Sequence, residues 1–290
     1  MKDWQFAAGS VQGRHHRTTG RNNQDALCWM RDGDNTVAVV CDGCGSGEHS
    51  EVGAQIGARI VTQALIRALN ESDLDEDNAN QDVADVLEKA RGEILDRVLD
   101  LAQAMGDNLT QTLCEYFLFT IVGVCITRRQ AVYFSLGDGL IFVNGEKISL
   151  GPFPNNAPPY LAYGLMTTSL AQNCPQILRF QINRVLPMEE LQSFLIGTDG
   201  VQDLVDAADK MLPGKEQLVG SINALWKQDR FFANPDAVRR HLAGVNRDFA
   251  SRDSVHSMRR VLNGLLFDDT TLIVARRPIE YSKDEEGGEK

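Results

Sequence analysis

Three apolar runs in this chain stop at an aspartate with glycine beside it. Residues 36–41 run into Asp42-Gly43, 132–136 into Gly137-Asp138-Gly139, and 194–197 into Thr198-Asp199-Gly200. A fourth acidic pair, Asp268-Asp269, immediately precedes the run 270–275, and Asp25 opens another run after Asn22-Asn23-Gln24. A single Asp-Gly is simply a good turn, and Asp32-Gly33 reads as no more than that. Recurrence at strand ends says more, because adjacent strands bring such carboxylates to one rim. Each unneutralised pair at ~4 Å costs about 4 kcal/mol at an effective dielectric near 20, so a cation is required among them. An oxygen-only donor set favours Mg²⁺ or Mn²⁺ over zinc. Two such ions about 3.5–4 Å apart can share a water, lower its pKa and clamp phosphoryl oxygens, so no side-chain nucleophile is needed.

The rest of the chain is patterned around these ends. Runs 26–30 and 36–41 read as a hairpin around Asp32-Gly33, followed by a glycine-rich loop, 42–47. A helix is expected over 50–69 with Val52, Ile56, Ile60, Ala64 and Ala68 as its apolar face, and a second over 83–105 through Leu87, Ile94, Val98 and Leu101. The acidic stretch 71–85 between them reads as a solvated linker. Short β-rich runs follow at 117–126, 131–136, 140–143 and 147–150, the last two joined by the hairpin turn Asn144-Gly145. Residues 152–163, with four prolines, read as an ordered loop or flap, and strands resume at 177–182 and 193–197. Helical patterning covers 201–264, broken near Pro213 and Pro235, before a last strand at 270–275. Hairpin connections and consecutive long helices argue against βαβ units. They favour two antiparallel sheets face to face with helices outside, an α+β class. One catalytic domain is expected over 1–279, with a charged, disordered tail at 280–290.

Composition removes several alternatives. The formal charge of −11, with no basic stripe, would repel a nucleic-acid backbone. No apolar run reaches the ~18 residues of a membrane span, and the first residues lack signal-peptide character, so a cytoplasmic location is expected. The six cysteines lie mostly in apolar runs and read as reduced.

Gln24-Asp25-Ala26, Val40-Cys41-Asp42-Gly43, Leu136-Gly137-Asp138-Gly139, the run Gly197-Thr198-Asp199-Gly200-Val201-Gln202-Asp203, and Asp268-Asp269-Thr270-Thr271 together resemble the ordered motifs of the metal-dependent serine/threonine protein phosphatases, the phosphatase 2C class in its bacterial form. They span 9–277 in the family's order. The resemblance implies a four-layer α-β-β-α sandwich with a dinuclear Mn²⁺ or Mg²⁺ site between the sheet ends. Asp25, Asp42, Asp199 and Asp268 would carry the catalysis. Asp42 would bridge both metals, and the Gly43 carbonyl would help hold one. Asp199 and Asp268 would hold one metal, and Asp25 would act on the other side through water. Asp138 with Asp199 would bind a third, weaker ion. A phosphorylated protein is the implied substrate, a cognate serine/threonine kinase an expected partner, and signalling the setting.

Three departures accompany the resemblance. Gln24 stands where an acidic residue is common. Cys44 stands where some members carry a histidine general acid, so the proton for the leaving group would come from metal-bound water. The phosphate-binding arginine is expected where Gly20 lies, so the neighbouring Arg21 is assigned that role, with Arg17, Arg14 or no arginine as the alternatives. These departures also keep open a different class of function, a catalytically weak or silent relative serving as a phosphoprotein-binding or regulatory module. Cys41-Asp42-Gly43-Cys44 lacks a second ligand pair for zinc, the loop 43–47 lacks a P-loop lysine, and His15-His16 reads as a surface pair.

Overall fold

The computed structural model describes residues 4–72, 74, 83–167, 174–252 and 259–278. The expected tail at 280–290 lies outside them, as does most of the 71–85 linker.

The apolar runs become strands of two five-stranded sheets, and every pairing is antiparallel. The first sheet has the order β1-β12-β9-β6-β7, the second β2-β3-β4-β5-β8. Here β1 is Gln5–Val11, β2 Asp25–Asp32, β3 Asn35–Asp42, β4 Ile121–Ile126, β5 Gln130–Leu136, β6 Gly139–Val143, β7 Glu146–Leu150, β8 Gln181–Pro187, β9 Ser193–Gly197 and β12 Thr270–Arg276. β10 (Phe249–Arg252) and β11 (Arg259–Leu262) form a separate hairpin.

Side-chain alternation explains why these strands are apolar throughout. Along β3, Ala38 and Val40 enter the core between the sheets, while Val37, Val39 and Cys41 face helices. Along β12, Ile273 and Ala275 face inward, and Leu272 and Val274 face the other helical layer. The central strands of each sheet are therefore buried on both faces, which gives the expected four layers, while the edge strands β7 and β8 and the far end of β2 are exposed. After the short helix α1 (Arg14–Thr19), the helices α2 (Ser50–Asn70), α3 (Val83–Met105) and α4 (Leu109–Tyr116) cover the second sheet. Short helices α5 (Val201–Asp206), α6 (Ala224–Lys227) and α7 (Ala237–Val245) cover the first.

Several expectations change. Val52 is 39% exposed, while Ile60, Ala64 and Ala68 of the expected face are buried; the buried surface of α2 extends instead through Gly53, Ala54, Gly57 and Ala58. A Cβ on Gly53 would lie 1.5 Å from the Tyr116 carbonyl oxygen, so close approach of α4, rather than side-chain size, selects this face. β1 has no β-branched alternation to announce it; its Ala-Ala-Gly-Ser core lets α7 pack directly on its backbone, with Val238 and Arg239 touching Gly9. The run 117–126 becomes strand only from Ile121, the run 177–182 is a 3₁₀ turn (Pro175–Leu178) leading into β8, and 201–264 holds three short helices and both strands of the β10–β11 hairpin. In the flap, Tyr160, Leu161 and Ala162 are buried in the same core as α3, which makes its second half part of the helical layer.

Candidate metal centre

The ends of both sheets deliver the predicted carboxylates to one place. Asp25 and Asp42 are direct register partners at the open ends of β2 and β3. Asp138 sits in the β5–β6 turn, Asp199 just beyond β9 and Asp268 just before β12. Asp138, Asp199, Asp203 and Asp268 line a cavity of about 440 Å³. Their proximity is written in their protonation. Burial pushes Asp42 well above the ordinary carboxylate range, with repulsion from Asp25, Asp199, Asp268 and Asp138 adding to it. Asp25 is raised by burial and then by Asp269, and Asp199 is pushed up to about 7 by burial and then by Asp268 and Asp138. Asp138 and Asp268 are raised as well, chiefly by burial. A buried set of like charges is stabilised by protons or by cations.

The donor set fits a hard cation. Asp25 accepts the Thr198 hydroxyl through Oδ2 at 2.7 Å, while its Oδ1 is buried without a hydrogen-bond partner among the described residues, as is Oε1 of Gln24. An unpaired buried carboxylate oxygen is costly unless a ligand meets it.

Three side chains with no role assigned from the sequence hold the set in place. Thr198 ties β9 of one sheet to Asp25 of the other and accepts the Thr271 amide at 3.2 Å. Asp203, one helical turn after Asp199, accepts the amides of Phe267 (2.6 Å) and Asp268 (3.1 Å). Asp269 accepts the amides of Gly13 and Gln24, both at 2.6 Å, and its Oδ2 lies 2.7 Å from Nδ1 of His16. His16 is buried rather than part of a surface pair, and it and Asp269 were hidden because their partners lie some 250 positions away. His16, Asp268 and Asp269 also offer ligand atoms within 4.8 Å of one another, but the oxygens of Asp269 are already taken by these three hydrogen bonds.

The glycines beside the aspartates act by their size. Gly200 has φ −58°, with no left-handed geometry, yet a Cβ there would stand 1.9 Å from the Asp269 carbonyl oxygen. A Cβ on Gly43 would lie 2.9 Å from the carbonyl oxygens of both Gln24 and Ser50. Backbones must nearly touch for the five carboxylates to converge.

The arginines divide. Arg17 is engaged with the Asn246 carbonyl and the Asp248 carboxylate, both at 2.9 Å, away from the cavity. Arg21 donates to the Gly45 carbonyl in the loop after Asp42-Gly43. Arg14 lies over Phe267, on the cavity rim, with Cζ 5.6 Å from the ring centre. In the C-x-x-C segment Cys41 is buried, Cys44 is half-buried against Ser46 (3.1 Å), and both are free thiols.

Comparison with known proteins agrees with this geometry. No curated protein sequence matches the chain. Among solved structures, a variant of a bacterial serine phosphatase superposes with TM-score 0.53 at 16% identity, covering 94% of this chain and 98% of that one. A C. elegans sex-determining protein superposes with TM-score 0.52 at 14% identity, over 94% of this chain and 64% of its own. The serine/threonine phosphatase Stp1 from Staphylococcus aureus gives TM-score 0.49 at 18% identity, over 95% of each chain. The likenesses with TM-scores of 0.53 and 0.52 establish the fold. The family model for protein phosphatase 2C matches residues 12–243, most of the length, and so places the chain in the protein phosphatase 2C family.

Proposed function

We propose that this protein is a cytoplasmic metal-dependent phosphatase that removes phosphate from phosphoserine and phosphothreonine of a partner protein, in signalling opposed by a cognate kinase. The observation that carries the reading is the convergence of five carboxylates from the ends of two sheets, Asp25 buried and the other four half-buried, with one Asp25 oxygen unpaired among the described residues. Asp42, Asp25, Asp199 and Asp268, with the Gly43 carbonyl, would hold two Mn²⁺ or Mg²⁺ ions, and Asp138 with Asp199 a third. Bound there, the cations would supply Lewis-acid activation of water and neutralise the phosphoryl oxygens.

The chain's own side chains do the rest. The Thr198 hydroxyl fixes the Asp25 carboxylate, Asp203 sets the Asp268 backbone, and Asp269 fastens the segments carrying Gly13 and Gln24 behind Asp268. Arg21, whose planar fork suits a phosphate, is proposed to dock the substrate's phosphoryl group once it leaves the Gly45 carbonyl. Cys44 stands where some members carry an imidazole acid, so the leaving-group proton would come from water at the site.

The direct test is hydrolysis of p-nitrophenyl phosphate and a phosphothreonine peptide with Mn²⁺, then with excess chelator, with Asp42→Asn as control. Turnover that needs metal and disappears in the variant supports the reading. Chelator-resistant turnover, or an unimpaired Asp42→Asn enzyme, overturns it.

A further inference from the structure

Beside the acidic cavity lies a second one of about 410 Å³, and the two share Ser149, Leu150 and Gly151 as a common wall. It opens between β7 and β8, the edge strands of the two sheets on the same side of the sandwich. Its chemistry differs sharply. Four aspartates line the first cavity; no charged residue lines the second, which pairs apolar groups such as Leu136, Phe153 and Ile177 with amides and hydroxyls.

One irregularity of the second sheet supplies a polar group there. Tyr133 pairs with Arg184 and Phe134 with Ile182, so Asn183 is an extra residue with no partner on β5. Bulges of this kind re-aim a side chain next to a site. The Asn183 amide nitrogen donates to Ser135 Oγ at 3.0 Å, inside the cavity. Its Oδ1 accepts no hydrogen bond among the described residues, which leaves an amide acceptor for a ligand.

We propose that this cavity receives the uncharged stretch of polypeptide adjoining the phosphorylated residue, with Asn183 Oδ1 accepting a backbone amide of the substrate. The inference rests on the phosphatase reading above. The shared wall lets one chain place its phosphate among the aspartates and its neighbouring residues in the neutral cleft. An acidic flank would meet four carboxylates and a chain of net charge −11, while a basic flank finds no carboxylate in the cleft.

The test compares kcat/KM for p-nitrophenyl phosphate, which has no flanking chain, with phosphothreonine peptides carrying neutral, lysine or glutamate flanks. Asn183→Ala should lower the neutral-peptide value by about 5-fold, the loss of one hydrogen bond, and leave p-nitrophenyl phosphate unchanged. Gln181→Glu, on the cleft wall, should shift preference toward the lysine-flanked peptide by roughly the same factor. A peptide-to-p-nitrophenyl-phosphate ratio unmoved in both variants overturns the cleft. If the wild type hydrolyses neither substrate, the phosphatase reading fails first. The cleft is then read by fluorescence anisotropy of the labelled neutral phosphopeptide, where equal affinity for wild type and Asn183→Ala overturns it and weaker binding by the variant supports it.

Discussion

The substitution Asp269→Asn separates a structural clamp from a metal ligand. Asp269 is 2% exposed and takes two amides at 2.6 Å and His16 Nδ1 at 2.7 Å. An asparagine keeps one acceptor oxygen, so its NH₂ must face either Gly13 N, losing one hydrogen bond, or Gln24 N and His16, losing two. The milder choice leaves one buried N–H unpaired against another donor, at a cost of about 1–3 kcal/mol. At roughly 2 °C per kcal/mol for a domain this size, the metal-free protein should melt ~2–6 °C lower. His16→Gln, which touches only one oxygen of Asp269, should cost no more than about 1 kcal/mol. If Asp269 is a clamp, saturating Mn²⁺ restores most of kcat in Asp269→Asn and the loss appears as a raised metal requirement. Calorimetric melting and Mn²⁺ titration of p-nitrophenyl phosphate hydrolysis measure both. A variant as stable as wild type, or one inactive at any metal concentration like Asp42→Asn, refutes the assignment.

Other predictions follow from the same site. Asp199 is pushed up to about 7, and Asp25, Asp42, Asp138 and Asp268 are raised too. A raised carboxyl stabilises the fold below its unfolded value, near 4, and that contribution is lost as pH rises through the folded value. Metal-free protein in chelator should therefore melt lower at pH 8 than at pH 5, and Mn²⁺ should reverse the trend, adding ~2.7 kcal/mol at 100 times its Kd. Melting curves that do not depend on pH in chelator would contradict the buried carboxylate cluster. Gly200→Ala puts a Cβ 1.9 Å from a carbonyl oxygen and should prevent soluble expression or cost more than ~3 kcal/mol, whereas Gly33→Ala, with open space but φ +58°, should cost only about 1 kcal/mol by urea denaturation. Arg21→Ala should raise KM for p-nitrophenyl phosphate by ~10-fold or more, with a smaller effect from Arg14→Ala; the reverse order would move phosphate docking to the Phe267 rim.

Much of this architecture was legible because its signals are local. Alternation, hairpin turns and acidic residues at strand ends are properties of neighbouring residues, and they located eight strands of the sandwich and each of the five carboxylates. What stayed hidden depends on tertiary approach. β1 is built from small residues and gains its identity only by pairing with β12 at the far end of the chain. The face of α2 is set by Tyr116 and Phe119 pressing on Gly53 and Gly57, which a hydrophobic period cannot register. His16 reads as solvent-facing until Asp269 arrives from the last strand. The five-motif resemblance carried the family, but it could not choose among Arg14, Arg17 and Arg21. In the structure Asn246 and Asp248 engage Arg17 elsewhere, a contact between distant segments that the motifs do not encode.

The Asp-Gly recurrence itself takes on a different meaning in three dimensions. As a turn signal it requires glycine for positive φ, and Gly33 obeys that reading. At Gly43 and Gly200 the dihedrals are ordinary, and glycine is needed because one backbone lies against another: Asp42's strand against the Gln24 carbonyl, and Asp199's loop against the Asp269 carbonyl. Each contact closes neighbouring strand ends within one sheet, and across the sheets Thr198 reaches Asp25. Convergence of the carboxylates is thus a property of the backbone, and their mutual repulsion is borne by the packing of the four layers. It follows that neutralising a single carboxylate should raise the metal-free melting temperature while abolishing turnover. Asp42, whose ionisation is opposed by four aspartates at once, is where that trade should be largest. Asp42→Asn melting below wild type in chelator would show that its carboxylate has a structural role that the packing does not reveal.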